Sequence, residues 1–502
     1  MKIIYLPLDE RPCNRVYPQQ IAELGNQVEL ITPDISLLGM KKKPANREAL
    51  WQFIETHAGT ADALVLSVEM LFYGGLLPSR IHYLSEADTV ASIERLRGLR
   101  NKMPQLKIYA SNLIMRTPQY DSSDEEPDYY ADYGQALFRR AFLLNKKTRL
   151  GLSQEEAEEL QAISIPQEYI DDYETRRAFN IDVNSRIIQL VSENVIDFLS
   201  IPQDDSAPFG YTALDQQTIV KLIADLQLSQ WVHMYPGADE VGASLIARAY
   251  NQFSGTRPSI YPLYASTLGP QLVPLYEDRP IHESVKAHIR VSGSLVVETA
   301  EAADIVLAVN TPGQRMQEAP EQGERDITYA SFRNVAVFCE QIAALLEAGK
   351  CVVVADSAYA NGGDLELIKT LDAMGLLNKI SGYMGWNTNC NTLGTVIATA
   401  IFAQKDSDAY KIKQHIYLHL LEDVCYQAVV RKQVTEQILP QYGLNYFDVK
   451  AHEEIIAGII SEQILAEYQL LVTNCLKEFS TTKIKVYLPW QRMFEIGLEI
   501  VI

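Results

Sequence analysis

The sequence predicts an α/β protein of two doubly wound parallel-sheet halves followed by a helical C-terminal region, and three observations carry that prediction. The chain opens with a compact β-α-β pattern. Its strand candidates are short continuous apolar runs, as expected of parallel strands buried on both faces. The order of elements in residues 1–112 then returns after residue 256, without visible sequence identity.

In the first half, Lys2 to Leu8 reads as a strand, Tyr17 to Leu24 as a short helix closed by Gly25, and Val28 to Ile31 as a second strand. This opening is Rossmann-like, yet no GxGxxG joins its elements, so a nicotinamide or flavin enzyme is not expected. A helix over Pro44 to His57 leads to the strand Ala63 to Val68, which runs into Glu69 and then Tyr73-Gly74-Gly75. A helix over Thr89 to Asn101 precedes Lys107 to Asn112 and Arg116. Residues 117–190 interrupt the rhythm with an acidic, aromatic stretch and a Glu-, Arg- and Gln-rich helical segment, read as a solvated lid or hairpin. Val195 to Ser200 is an apolar strand ending in Gln203-Asp204-Asp205, and Trp231 to Tyr235 is another, ending in Gly237-Ala238-Asp239-Glu240.

Gly255-Thr256-Arg257-Pro258 marks a boundary. Beyond it come strands at Ile260 to Tyr264, Leu295 to Glu298, Ile305 to Asn310, Cys351 to Ala355 and Ile380 to Met384, with helices at Ile281 to Val291, Val335 to Glu347 and Asp364 to Leu371. Residues 1–255 are thus expected to form a first domain, with 117–190 as its insertion, and residues 256–400 a second, the two halves facing a cleft. Residues 401–502 are read as helical, with Tyr410 to Val429 and Glu453 to Cys475 clearest, then a short strand from Lys483 and a tail, and no chemistry is found there. One elaborated (β/α)8 barrel is the alternative, because it too gathers every strand-end loop on one face. About ten strand candidates and a short second strand in each half favour two lobes.

Length and composition narrow the function. A chain of 502 residues exceeds one ordinary core, and 47% hydrophobic with 22% charged residues is a folded, soluble composition. A net charge of −20 opposes a nucleic-acid partner. The N-terminal apolar stretch is broken by Pro7, Asp9 and Glu10, too short for a membrane span or signal segment. Six scattered cysteines suggest neither a disulfide framework nor a zinc site, and point to a reducing cytoplasm.

Polar residues gather at the strand ends: Asp9, Glu10, Arg11 and Asn14; Glu69 with Gly74 and Gly75; Asn112 and Arg116; Asp204 and Asp205; Asp239 and Glu240; Asp356 with Asn361 and Asp364; and Trp386, Asn387 and Asn389. Helix capping accounts for one polar residue per loop. It does not account for repeated carboxylate pairs and asparagines beside a tryptophan. Hydroxyl-rich ligands call for bidentate acceptors, amide donors and a flat apolar face, which suits a sugar. Paired carboxylates suit glycosidic cleavage, or a substrate-assisted variant in which an Asp-Asp pair orients an acetamido group. No GxSxG elbow supports a nucleophilic triad, and His233 reads as core. A divalent cation held by the same acids is an alternative, although no spacing specifies a metal site.

The series Leu6-Pro7-Leu8-Asp9-Glu10-Arg11-Pro12-Cys13-Asn14, Tyr73-Gly74-Gly75-Leu76, Pro236 to Glu240, Ala360 to Asp364 and Trp386 to Asn389 resembles a bacterial family known as domain of unknown function 4127, over nearly the whole chain. That resemblance implies no activity. At two short motifs the chain is also similar to hyaluronidase-like hexosaminidases that remove O-linked N-acetylglucosamine, Asp204-Asp205 resembling their catalytic pair and Trp386-Asn387 their sugar-binding motif. Such enzymes are barrels, at odds with the two-lobed reading. The expectation is a cytoplasmic carbohydrate-active hydrolase with no cofactor and a small-molecule substrate. Asp204 and Asp205 are its catalytic carboxylates, followed by Asp239 and Glu240. Asp9, Glu10, Arg11, Asn14, Gly74, Gly75, Arg116, Asp356, Asn361, Asp364, Trp386, Asn387 and Asn389 are its substrate contacts. A metal-dependent enzyme and a non-catalytic sugar-binding protein are the alternatives.

Overall fold

The computed structural model describes residues 1–25, 27–403 and 407–501. They divide into two compact units, Met1–Glu10, Glu29–Leu245 and Tyr276–Asp278 forming the first, and Arg11–Val28, Ile246–Leu275 and Arg279–Ile502 the second.

The first unit is built on a parallel six-stranded sheet of β1 (Lys2–Leu6), β2 (Glu29–Ile31), β3 (Ala63–Ser67), β4 (Lys107–Ser111), β5 (Phe198–Gln203) and β6 (Val232–Pro236), in the order β2-β1-β3-β4-β5-β6. Every residue of β3 and β5 is buried, which is why these strands read as mainly apolar runs without polar alternation. Ser67 pairs with Ser111 and Ser111 with Ser200, so three central strands run in step towards their carboxyl ends. The strand order reverses between β1 and β3, the place where open α/β sheets bind ligands.

The segment expected to be a solvated insertion is partly core. It holds helices Tyr130–Arg149, Gln154–Ala162 and Gln167–Ser192. The last packs Val183, Ile187, Ile188, Leu190 and Val191 into the same core as Ile4, Leu6, Leu64 and Leu66. It is the crossover between β4 and β5. Its apolar positions recur at helical spacing, so its charged outer face masked the buried one.

The second unit repeats the topology. Strands β7 (Ser259–Tyr264), β8 (Leu295–Val296), β9 (Ile305–Asn310), β11 (Cys351–Asp356) and β13 (Gly382–Met384) form a parallel sheet in the order β13-β11-β9-β7-β8, while β10 (Gln317–Glu318) and β12 (Tyr359–Ala360) pair separately. Reading this sheet from β8 gives the reversal of the first. Two open parallel sheets replace the barrel alternative, since neither sheet's end strands are paired to each other. The C-terminal helices are no separate layer: Ile416, Leu420, Val424, Ile456, Ile460 and Ile464 share one core with Val306, Val352 and Leu367.

Two C-terminal expectations change. The long helix from Tyr410 is α-helical only over Ala409–His419 and then π-helical over Leu420–Val430. The final tail is a strand, β15 (Gly497–Val501), antiparallel to β14 (Lys483–Tyr487), with Ile484 opposite Ile500 and Val486 opposite Leu498. Among the described residues, no helix is long and apolar enough to cross a membrane.

Candidate functional site

At the carboxyl end of the first sheet, β3 runs into a π-helical turn, Glu69–Tyr73, ended by Gly74 at φ +92°. A Cβ on Gly74 would lie 2.7 Å from the Ala45 nitrogen, so only glycine fits where that N–H donates to the Gly74 carbonyl at 2.9 Å. Gly75 follows at φ +136°. These glycines shape the turn that presents Glu69. The Glu69 carboxylate is buried and accepts the Asn112 amide at 2.8 Å, the Leu113 N–H at 2.7 Å and the Ser67 hydroxyl at 3.0 Å. Burial nevertheless pushes its carboxyl up to about 7, against the pull of those donors.

Glu69, Tyr73, Arg80, Asn112 and Asp204 line a cavity of about 10 Å3, room for roughly one water. Two of the lining residues carry buried polar atoms with no hydrogen-bond partner in the protein, the Tyr73 hydroxyl and the Asn112 side-chain oxygen.

Asp204 and Asp205 sit on a turn just past β5, Asp205 in the left-handed region at φ +44°. Both are tied to arginines. Arg80 donates to Asp204 at 2.7 Å and to Glu125 and Glu126 at 3.1 Å each. Arg116 reaches Asp205 at 3.3 Å, Glu125 at 2.6 Å and Glu126 at 2.9 Å. Two guanidiniums thus face four carboxylates, an excess of two negative charges if all ionise. The Asp204 carboxyl is raised by burial and by the charge of Asp205; that of Asp205 is raised by burial. Directly after the pair, Ala207 and Pro208 join Ala213, Gln216 and Val220 in walling an open groove of about 480 Å3, a volume in the range of small-molecule sites.

The other predicted residues of this unit lie on neighbouring loops. Asp9 is buried just past β1, and Glu10 accepts the Lys41 N–H at 2.7 Å. Asp239 and Glu240 are buried before the helix Val241–Ser254. Glu240 accepts the Ala238 N–H at 2.9 Å, and burial pushes its carboxyl up to about 8, with the Asp239 and Glu277 charges adding to the rise.

In the second unit Asp356, at the end of β11, accepts Asn310 at 2.8 Å, the Asp364 N–H at 2.7 Å and the Tyr383 hydroxyl at 2.8 Å. Burial and the Asp364 charge raise its carboxyl to about 7. Asp364 caps the helix Leu365–Ala373 and pairs with Arg333 at 2.6 Å. This is a closed, buried polar network. Trp386, expected as a ring platform, is 2% exposed, with its indole N–H given to Glu422 at 3.1 Å and its ring edge-on to Tyr17 and Phe494. Asn361 and Asn387 hold left-handed turns, the Asn361 N–H donating to the Asn387 carbonyl at 2.7 Å and the Asn361 amide to Glu318 at 2.8 Å. Asn389 is buried at the start of the helix Asn389–Phe402. Arg11 lies 3.6 Å from Glu495 and over the Trp490 ring, and the Asn14 amide contacts the Cys13 sulfur.

The model of the family described as Protein of unknown function (DUF4127) matches residues 3–499. The chain belongs to this family. No curated protein matches this DUF4127 chain. Among solved structures, the carboxyl transferase domain of Rhizobium etli pyruvate carboxylase with 3-bromopyruvate aligns at 8% identity and a TM-score of 0.20, over 94% of this chain and 61% of that one. The chain thus spans about three fifths of that structure's length, and so low a score carries no argument. The hexosaminidase likeness finds no support.

Several residues of these clusters escaped the sequence reading. Glu125 and Glu126 were hidden in the acidic insertion, and Arg80 in a Pro-Ser-Arg loop. The C-terminal region, read as free of chemistry, supplies Glu422 and Asp423, both pushed well up by burial. Asp423 accepts the Gly385 N–H at 2.8 Å and faces His419 at 3.2 Å, and Tyr17 donates to Glu422. An adjacent acid pair inside the apolar run Leu420-Leu421-Glu422-Asp423-Val424-Cys425 was the available signal. Among the described residues, no group of three or more His, Cys, Asp or Glu side chains is arranged to hold a metal ion.

Proposed function

We propose that this chain is a carbohydrate-active hydrolase that cleaves a glycosidic bond of a small hydroxyl-rich substrate, with Glu69 as the acid–base group and Asp204 and Asp205 as the neighbouring carboxylates. One observation carries the reading: a buried glutamate with its carboxyl at about 7 lines a cavity at the carboxyl ends of β3, β4 and β5 in a parallel sheet. A carboxyl titrating near neutrality can give a proton to a leaving oxygen and take one from water. In the hydrolysis, the bond between the anomeric carbon and the leaving oxygen breaks, that oxygen gains the proton, and water adds to the carbon while losing one. The open groove of about 480 Å3 starts at Ala207, two residues past Asp205 on the same loop, and is the larger space near this end of the sheet. Glu240, at about 8, is the second acid–base candidate.

The partner is a small molecule rather than nucleic acid or membrane, in keeping with the charge of −20, and a cytoplasmic location is supported by six free cysteines. The test is turnover of aryl glycosides, N-acetylhexosaminides included. The expected result is release of the aryl alcohol by the wild type and a loss of about 100-fold or more in Glu69→Gln. Full activity in that variant, or no turnover of any glycoside, would refute the assignment.

A second reading rests on the ion pairs. Asp204 and Asp205 are both held by arginines, an arrangement that suits fixed ligand acceptors as well as it suits reacting groups. A non-catalytic sugar-binding protein with the same residues would hold an intact ligand without product over long incubation.

A further inference from the structure

We infer that the cavity beside Glu69 receives a primary ammonium group, so that the ligand of this site is an amino-bearing, hydroxyl-rich molecule rather than a neutral or acidic one. The inference deepens the substrate class of the proposed site and rests on that reading only for its location.

The first argument is size and lining. A cavity of about 10 Å3 admits one water-sized group, which an ammonium head is. The unpartnered atoms of its lining residues suit a donor. The Asn112 nitrogen is committed to Glu69, which leaves the Asn112 oxygen, buried and without a protein partner, able only to accept. The Tyr73 hydroxyl, buried and likewise without a partner, has lone pairs to offer. Two carboxylates, Glu69 and Asp204, share the wall. An ammonium has three donors and no lone pair to clash with these acceptors.

The second argument is charge. Arg80 also lines the cavity, but its guanidinium is matched by Asp204, Glu125 and Glu126. With Arg116 added, the surrounding cluster still carries two more carboxylates than guanidiniums. One oxygen of Glu126, a residue 1% exposed, has no hydrogen-bond partner although its other oxygen serves both arginines. A buried surplus of negative charge is relieved by a proton or by a cation. A neutral hydroxyl or acetamido group relieves nothing, and a carboxylate adds to the surplus.

The test is isothermal calorimetry on the intact protein with glucosamine, glucose, N-acetylglucosamine and glucuronate near neutral pH, at low and high salt, independent of any turnover. The expected result is glucosamine binding at least about tenfold tighter than glucose, no binding of glucuronate, and weakening as salt rises. Tyr73→Phe removes a hydroxyl with no partner in the protein, so it should fold normally and bind glucosamine roughly tenfold more weakly. Asp204→Asn should weaken glucosamine binding as well. Equal affinity for glucose and glucosamine, unchanged glucosamine affinity in Tyr73→Phe, or no binding of any amine would overturn the inference. Tight glucosamine binding with no glycoside turnover would uphold it while removing the hydrolase assignment.

Discussion

Replacing Glu69 by glutamine isolates the cost of burying this carboxyl. The amide oxygen can keep the Asn112 and Leu113 donors, at 2.8 Å and 2.7 Å, and its nitrogen can face the Ser67 hydroxyl, which rotates to accept. Packing is therefore retained while ionisation is removed. A carboxyl moved from 4.5 to about 7 on folding corresponds to about 3 kcal/mol of stability that depends on pH. The sign follows from proton counts: between those two values the folded state holds more of the proton than the unfolded state, so stability falls as pH rises. This contribution is present in full below about 4.5 and gone above about 7. Urea denaturation of wild type and Glu69→Gln, followed across that window, reads the difference directly. The variant should gain on the wild type by about 3 kcal/mol from the acid to the neutral end, whatever other groups titrate in both proteins. Two curves that run parallel would refute the burial argument, and with it the acid–base role.

Two further outcomes test the packing around the clusters. Asp372 is raised by burial, but the Thr473, Cys475 and Asn474 N–H groups, at 2.8 to 3.2 Å, outweigh this and hold its carboxyl below the usual range. Asp372→Ala should orphan those donors, cost about 3 kcal/mol by denaturation, and abolish the part of the stability that wild type loses as pH falls through the lowered value. Arg80→Met removes the ion-pair partner of Asp204 and leaves Glu125 and Glu126 to Arg116 alone, and should cost about 3–5 kcal/mol, whereas Arg186→Met, whose pairs with Asp182 and Glu86 are exposed, should leave the melting temperature nearly unchanged.

Local pattern decided the fold class. Strands such as Ala63–Ser67 and Ile305–Asn310 are buried on both faces, so their apolar runs and the loops that end them are visible in one dimension. The polar residues at those strand ends were visible for the same reason. Their roles were not. Whether Asp204 stands as a free acid or an ion-paired one depends on Arg80, 124 residues earlier in the chain. Glu69 looked like any strand-end glutamate, because its burial comes from Asn112 and Leu113 on the next strand's loop. Trp386 lost its expected role as a sugar platform to Tyr17 near the start of the chain and to Glu422, 36 residues further on.

The sequence by itself thus determined that this is an α/β chain with carboxylates at its strand ends, since periodicity and turn chemistry are local properties. The tertiary structure alone decided which carboxylates are neutralised, which are raised towards neutrality and which acceptors are left open. Burial and Coulomb interactions act between residues distant along the chain, and their sign is set only when those residues meet.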